Sequence, residues 1–284
     1  SLDQTNNRVS TGLKVSSAAD NAAYWSIATT MRSDNSALGT VQDALGLGAA
    51  TLDVAYTGME SAIEVVDEIK TKLVAAKEPG VDKAKIQSEI TELQAQLEGI
   101  ATSASFNGEN YLHTATGLTA GTESVVASFT RDASGNVSIE TIDVDTTATV
   151  LTDVDTAANG ILSQDRTGTN TNVASIAGGA NDITIDGTTT DAELDDMIEV
   201  VDAALSEMTD AATTLGASKK RIDMQNDFVG NLMDAIDRGV GQLVDADMSE
   251  ESTRLQALQV QQQLGIQSLS IANQNAQTIL SLFR

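Results

Sequence analysis

Apolar residues recur at alternating spacings of three and four over two long stretches of the chain, separated by a region with no helical period. From Leu38 to Ala76 the series is unbroken: Leu38, Val41, Leu45, Gly48, Leu52, Ala55, Met59, Ala62, Val66, Ile69, Leu73, Ala76. It predicts one helix ~60 Å long whose seam packs on other helices. Glu78-Pro79-Gly80 supplies the stop, since proline cannot continue the helical bonding and glycine suits the turn beyond it. Ile86, Ile90, Leu93, Leu97, Ile100 and Ala104 then repeat the spacing, and so short a loop predicts an antiparallel neighbour. The period returns with Leu194, Ile198, Val201, Leu205, Met208, Ala212 and Leu215. It runs on through Ile222, Val229, Met233, Ile236, Val240 and Leu243.

Between these stretches, from about Thr114 to Thr190, Thr, Gly, Asp and Asn dominate. "ESVVASFTRDASGNVSIETIDV" predicts two strands around a turn at Asp132 to Asn136, and "NDITIDG" a further short strand. The fold class is therefore mainly α with an inserted β-rich segment. Both chain ends form a long antiparallel helical bundle or coiled coil, with the β-rich segment at its tip.

The last stretch is different in kind. "LQALQVQQQLGIQSLSIANQNAQTILSLF", Leu255 to Phe283, has no charged residue in a chain of formal charge −25. A membrane span is excluded because its eight Gln and two Asn would be very costly to bury in hydrocarbon. Leu255, Leu258, Gln262, Gly265, Leu269, Ala272, Ala276, Ile279 and Phe283 lie on a 3/4 spacing, and Leu264 and Ile271 add a second stripe. This predicts a helix made to bind partners on more than one side.

Composition narrows the chemistry. Aromatics are 3% of residues, there is one proline and there is no cysteine. Helices packed through Leu, Ile, Val and Ala fit that better than a thick globular core. Thiol catalysis, disulfides and cysteine-based metal sites are excluded, and the acidity disfavours nucleic acid as a partner. His113 is the only histidine, so paired-histidine metal sites are excluded too. Asp143/Asp145 and Asp153/Asp155 alternate along predicted strands, so each pair shares a face; solvated acidic strand edges account for them better than calcium. "GGANDITID" resembles a single calcium-binding nonapeptide repeat, and one copy cannot stack into a coil. No P-loop or dinucleotide fingerprint occurs. Tyr24 and Trp25 are expected in helix packing rather than on a carbohydrate platform. No enzyme, cofactor or metal is predicted.

Four segments carry a family resemblance: "NRVSTGLKVSSAADNAAYWSIATTMRSDN", "IQSEITELQAQLEGIATSASFNGENYL", "GQLVDADMSEES" and "ANQNAQTILSLFR". In this order, with a divergent middle, they resemble the conserved ends of bacterial flagellin. The resemblance implies a structural subunit that polymerises into the extracellular flagellar filament for motility. The alternative is a surface adhesin or polysaccharide-binding homologue, which needs exposed aromatics in the middle, where Phe129 stands alone. By resemblance, residues 1–14 and 247–284 form the terminal helical, inner-tube region, 15–113 and 191–246 the helical bundle domain, and 114–190 the variable outer segment. Self-assembly would use Leu255, Leu258, Leu269, Ala272, Ala276, Ile279 and Phe283. Partners implied are further copies of the chain, a flagellar export chaperone, and hook and cap proteins; neither nucleic acid nor membrane is among them. The family pattern carries roughly two dozen residues before the position matching Ser1, so the last helix's N-terminal partner extends further than this sequence.

Flagellins sensed by Toll-like receptor 5 carry a Gln-Arg-Val-Arg-Glu-Leu-like patch on the long helix. The matching positions are Glu64, Val65, Val66, Asp67, Glu68 and Ile69. Both arginines are replaced, by Val65 and Asp67, so recognition is expected to be weak or absent. Asp67 is expected off the Ala62/Val66/Ile69 seam, and Val65 beside it.

Overall fold

The computed structural model describes residues 2–116, 120–132, 134–156, 159–170 and 172–282, excluding the side chains of 274–282. The chain is mainly α with an inserted β-rich segment, as the periodicity predicts. Five helices carry it: α1 (Leu2–Thr11), α2 (Ala22–Ala76), α3 (Lys83–Ser103), α4 (Asp191–Val244) and α5 (Met248–Leu282). By internal contacts it divides into two compact units, Ser1–Gly39 with Asn231–Arg284, and Thr40–Gly230.

In the larger unit α2, α3 and α4 run antiparallel. Lys77 pairs with Asp195, Lys70 with Asp202 at 2.5 Å and Lys219 with Asp53, so numbers fall along α4 as they rise along α2. Lys72 reaches Glu89 of α3 at 2.7 Å. All of these pairs are largely solvated and add little stability; the seam does the holding. Every apolar position of the Leu38–Ala76 series is buried, with Leu45, Leu52, Met59, Val66, Ile69 and Leu73 at zero exposure. Facing them are Ile90, Leu97 and Ala101 of α3 and Leu194, Val201, Ala204, Met208, Leu215 and Ile222 of α4, equally closed to solvent. Burying an aliphatic side chain of this size stabilises by about 1.5–3 kcal/mol, so this seam dominates the unit's stability. After Ala76 the chain turns through Gly80 at φ +91°, and Asp82 caps α3 by accepting from the Ala84 N–H.

One expectation about α2 changes. The helix begins at Ala22, not Leu38. The Asn21 side chain accepts the Tyr24 N–H at 3.1 Å, which is the N-cap bond that starts a helix. The intervening turns are Ala-, Ser- and Thr-rich, so they lack a long apolar stripe while remaining compatible with helix.

The inserted segment is made of short two-stranded pairs. β1 (Ser105–Phe106) and β2 (Glu109–Asn110) form a hairpin around Asn107-Gly108, both with positive φ. β3 (His113–Thr114) pairs in parallel with β6 (Thr152–Asp153). β4 (Thr122–Arg131) and β5 (Val137–Asp145) are the predicted antiparallel hairpin, with an irregularity between Val126 and Ser128. Its turn is closed by Asp132, whose carboxylate accepts from the Ser134 and Asn136 N–H groups. β7 (Arg166–Thr167) pairs with β8 (Val173–Ala174).

The segment leans on the helices rather than standing clear of them. Gln94 of α3 donates to the Ile176 and Ile183 carbonyls at 2.8 and 3.1 Å, and Gln87 accepts the Ile185 N–H at 2.6 Å. Asp196 of α4 accepts the backbone and side-chain N–H groups of both Asn170 and Asn172. Burial pushes its carboxyl up, but these hydrogen bonds outweigh that and leave it below the usual carboxylate range. The hairpin is fixed by Gln225, which donates to the Ala127 carbonyl at 2.9 Å, and by Gly48 of α2, which lies directly under Val125.

Two further expectations fail here. "NDITIDG" is not a strand; it makes a single bridge, Ser175 with Asp182. Its isoleucines, Ile183 and Ile185, are buried; Ser175 exchanges backbone bonds with Asn181 and Ile183, while Gln94 and Gln87 of α3 take the Ile183 carbonyl and the Ile185 N–H, so side chains supply what a longer strand partner would. Asp153 is not on a solvated edge. It is buried, its Oδ1 accepting the Asp155 and Thr156 N–H groups and its Oδ2 the Asn159 amide. Asp143 and Asp145 do lie exposed on β5.

Tyr111 offers a spectroscopic handle on this unit. It is 4% exposed, and burial, with Glu109 and Glu123 nearby, pushes its phenol from the ordinary 10.0 up to about 12. The fold favours the neutral ring, so this stability is intact below pH 10 and is lost as pH rises towards 12. An alkaline titration of phenolate absorbance should show a late step, together with loss of helical circular dichroism, that Tyr111→Phe removes. Ionisation of all three tyrosines near their ordinary value would contradict this burial.

Candidate functional site

The smaller unit carries the uncharged terminal helix. A turn brings the chain to it: Lys14 N–H donates to the Val244 carbonyl, Ala246 N–H to the Gly12 carbonyl, and Leu13 bridges Asp245. Beneath lies a small core of Val15, Ala28, Val240 and Val244, flanked by Leu13, Met31, Ile236 and Leu243. Asp247 then starts α5 by accepting the Ser249 and Glu250 N–H groups.

α1 packs against the beginning of α5. Arg8 reaches the buried Glu251 at 3.0 Å, and Arg254 meets the same oxygen at 3.2 Å. Leu255 and Leu258 are half-buried there. The contact lies at the first turns of α5. Beyond it α5 exposes Val260 (54%), Leu264 (56%), Ile266 (64%), Leu269 (65%) and Ile271 (60%).

Around the helix these residues form two stripes. Val260, Leu264 and Ile271 lie on one side. Leu269 and Ile266 continue the line of Leu255 and Leu258, roughly 160–180° away. One neighbouring helix cannot cover opposite faces. Of the predicted assembly residues, Leu255 and Leu258 lie where α1 packs, whereas Leu269 and Ala272 are exposed. The side chains of Ala276 and Ile279, and all of Phe283, lie outside the described residues. Among described residues no helix is long and apolar enough to cross a membrane.

The matching patch on α2 is split by burial. Glu64, Asp67 and Glu68 are exposed, and Val66 and Ile69 are in the core. Val65 is 7% exposed. It therefore belongs to the buried face rather than beside it, because α2 is covered on two sides, by α3 and α4.

No group of three or more His, Cys, Asp or Glu residues disposed for a metal occurs among the described residues. His113 is half-buried, with Nδ1 2.9 Å from the Thr152 Oγ1, a contact within the β3–β6 pair. Tyr24 and Trp25 are 45% and 39% exposed, so part of each ring lies at the surface of the single chain.

The bacterial flagellin N-terminal helical region matches residues 1–116, and the bacterial flagellin C-terminal helical region matches residues 198–283. Flagellin C of Rhizobium meliloti (strain 1021) is 56% identical across the whole chain, which covers 92% of that relative. The chain belongs to the bacterial flagellin family. Flagellin A of Rhizobium meliloti and a flagellin of Brucella melitensis are each 46% identical over the whole chain, with 94% and 92% of their lengths covered. A crystal structure of Bacillus cereus flagellin aligns at TM-score 0.43 and 16% identity, over 67% of this chain and 88% of that one. As a flagellin, the chain is a structural subunit of the extracellular bacterial flagellar filament, and its family is one of structural proteins that polymerise.

Proposed function

We propose that the two opposite apolar stripes of α5 are the surfaces through which copies of this flagellin join in the filament. The observation that carries this is the exposure of Val260, Leu264, Ile266, Leu269 and Ile271 on a helix with no charge from Leu255 to Phe283. A patch of that kind is unusual on a chain that functions alone. Between copies of a −25 chain, an uncharged helix is also where approach meets least repulsion. The line of Leu255, Leu258 and Leu269 is the side served by the chain's own N-terminal helix. The Val260/Leu264/Ile271 side is left for another copy, and Ala272, Ala276, Ile279 and Phe283 extend the contact by resemblance. Before assembly the same exposed helix is the surface for an export chaperone, and its position at the filament's ends brings it to hook and cap proteins. Electron microscopy of filaments from cells in which this is the sole flagellin tests the reading; secretion of unassembled subunits alone would refute it.

The same reading includes weak or absent Toll-like receptor 5 recognition. The exposed charge on this patch is negative throughout, Glu64, Asp67 and Glu68, where the resemblance calls for arginine. Losing one partner of such a pair commonly costs ~2–5 kcal/mol, roughly 30-fold to several thousand-fold in affinity. Asp67→Arg should restore part of the response without disturbing the bundle. Val65→Arg is a poor companion, since it would push a guanidinium into a buried position. A reporter-cell dose–response decides this, and strong signalling by the unmodified chain at low concentration would overturn it.

A further inference from the structure

The net charge is distributed unevenly between the two units. Residues 1–39 and 231–284 hold nine acidic and six basic residues, net −3, whereas 40–230 hold thirty-two and ten, net −22. Like charge therefore opposes the approach of two copies more at the larger unit than at the smaller one. Within that near-neutral unit, apart from α5, the large rings left in solvent are Tyr24 and Trp25, at the start of α2. They stand in a run without charge from Asn21 to Met31.

Their setting is rigid. Asp20 accepts hydrogen bonds from the backbone N–H and hydroxyl groups of Ser16 and Ser17 at 3.0–3.2 Å. Asn21 then accepts the Tyr24 N–H through its side chain and the Trp25 N–H through its carbonyl. One turn on, Ala28 anchors the helix to Val15, Val240 and Val244 at 2% exposure. Rings carried on a secured helix end require no ordering of the backbone on binding, which suits an interface anchor.

We infer that Tyr24 and Trp25 are an assembly contact, covered in the filament by the near-neutral unit of a second copy of this chain. The inference rests on the filament reading, and adds to α5 a second, aromatic point of contact. A polyanionic or strongly acidic partner surface would leave the rings without apolar cover. The smaller unit of another copy supplies uncharged aliphatic helix surface instead.

Trp25 is the chain's sole tryptophan, so intrinsic fluorescence reports on it alone. Filaments sheared from cells with this sole flagellin should emit at shorter wavelength than the heat-dissociated subunit, with acrylamide quenching reduced several-fold. Filaments in which Trp25 is as quenchable as in the subunit would overturn the inference and leave the role of α5 standing. Absence of filaments would remove both. As a second measurement, Tyr24→Ala with Trp25→Ala should leave the subunit folded, with a somewhat lower melting temperature because more than half of each ring is buried in it. At a temperature where the subunit is fully folded, the double variant should raise the critical concentration for assembly at least ~10-fold. Trp25→Phe alone should assemble nearly normally. Normal assembly of the double alanine variant would also overturn the inference.

Discussion

Replacing Leu264 and Leu269 together by Asp should abolish filament formation and leave the folded subunit almost untouched. In the isolated chain both side chains are more than half exposed, and surface substitutions of that kind usually change stability by less than ~0.5 kcal/mol. Once α5 is covered on both faces, each carboxylate is desolvated without a partner, at a cost of several kcal/mol. At ~1.4 kcal/mol per tenfold, the critical concentration rises by at least ~100-fold. The two positions lie on opposite stripes, so the single variants separate the faces: either alone should impair assembly. Sedimentation gives filament yield and thermal unfolding gives subunit stability. Normal yield from the double variant would refute the assembly role of this length of α5.

A second large effect is expected two residues apart on one helix, with opposite signs. A Cβ added at Gly48 would lie 2.7 and 2.8 Å from the two methyls of Val125 and 3.3 Å from its Cβ. Val125 is β-branched and held in the β4–β5 hairpin, so it cannot swing aside. Alanine there gains up to ~1 kcal/mol of helix propensity but costs ~1–3 kcal/mol by overpacking. The net result is destabilisation, with the hairpin lifted from α2. At Gly46 nothing lies within 4 Å of an added Cβ, so Gly46→Ala keeps the propensity gain. For a unit of this size ~1 kcal/mol moves the melting temperature by ~2–4 °C. Gly46→Ala should therefore raise it and Gly48→Ala lower it. Equal stabilisation by both would show that the hairpin is not seated on Gly48.

The contrast between these glycines bears on what a sequence can disclose. Gly48 lies on the apolar series and could be placed in the α2 seam from spacing alone. That it receives Val125, rather than another helix, depends on a β-hairpin seventy-odd residues later in the chain. Periodicity located the bundle because α2 packs on helices with the same repeat. The Asp132–Asn136 turn was legible for a local reason, its carboxylate capping its own backbone. "NDITIDG" misled because its alternation is real, yet its backbone pairs only with Ser175 and then with the side chains of Gln87 and Gln94. Asp153 gave no sign of burial, since the N–H groups that hold it come from its own following turn and from Asn159. Val65 was misplaced because a helix between two neighbours buries more than one stripe. For α5 the sequence identified the unusual helix.

If the exposed stripes of α5 join the subunits, they become buried when the filament forms. The chain has no cysteine, so a single Leu269→Cys variant reports on one point of that surface. Its thiol should react rapidly with a small maleimide in dissociated subunits and should be strongly protected in intact filaments, with reactivity returning on dissociation. Equal labelling of subunit and filament would contradict the claim directly.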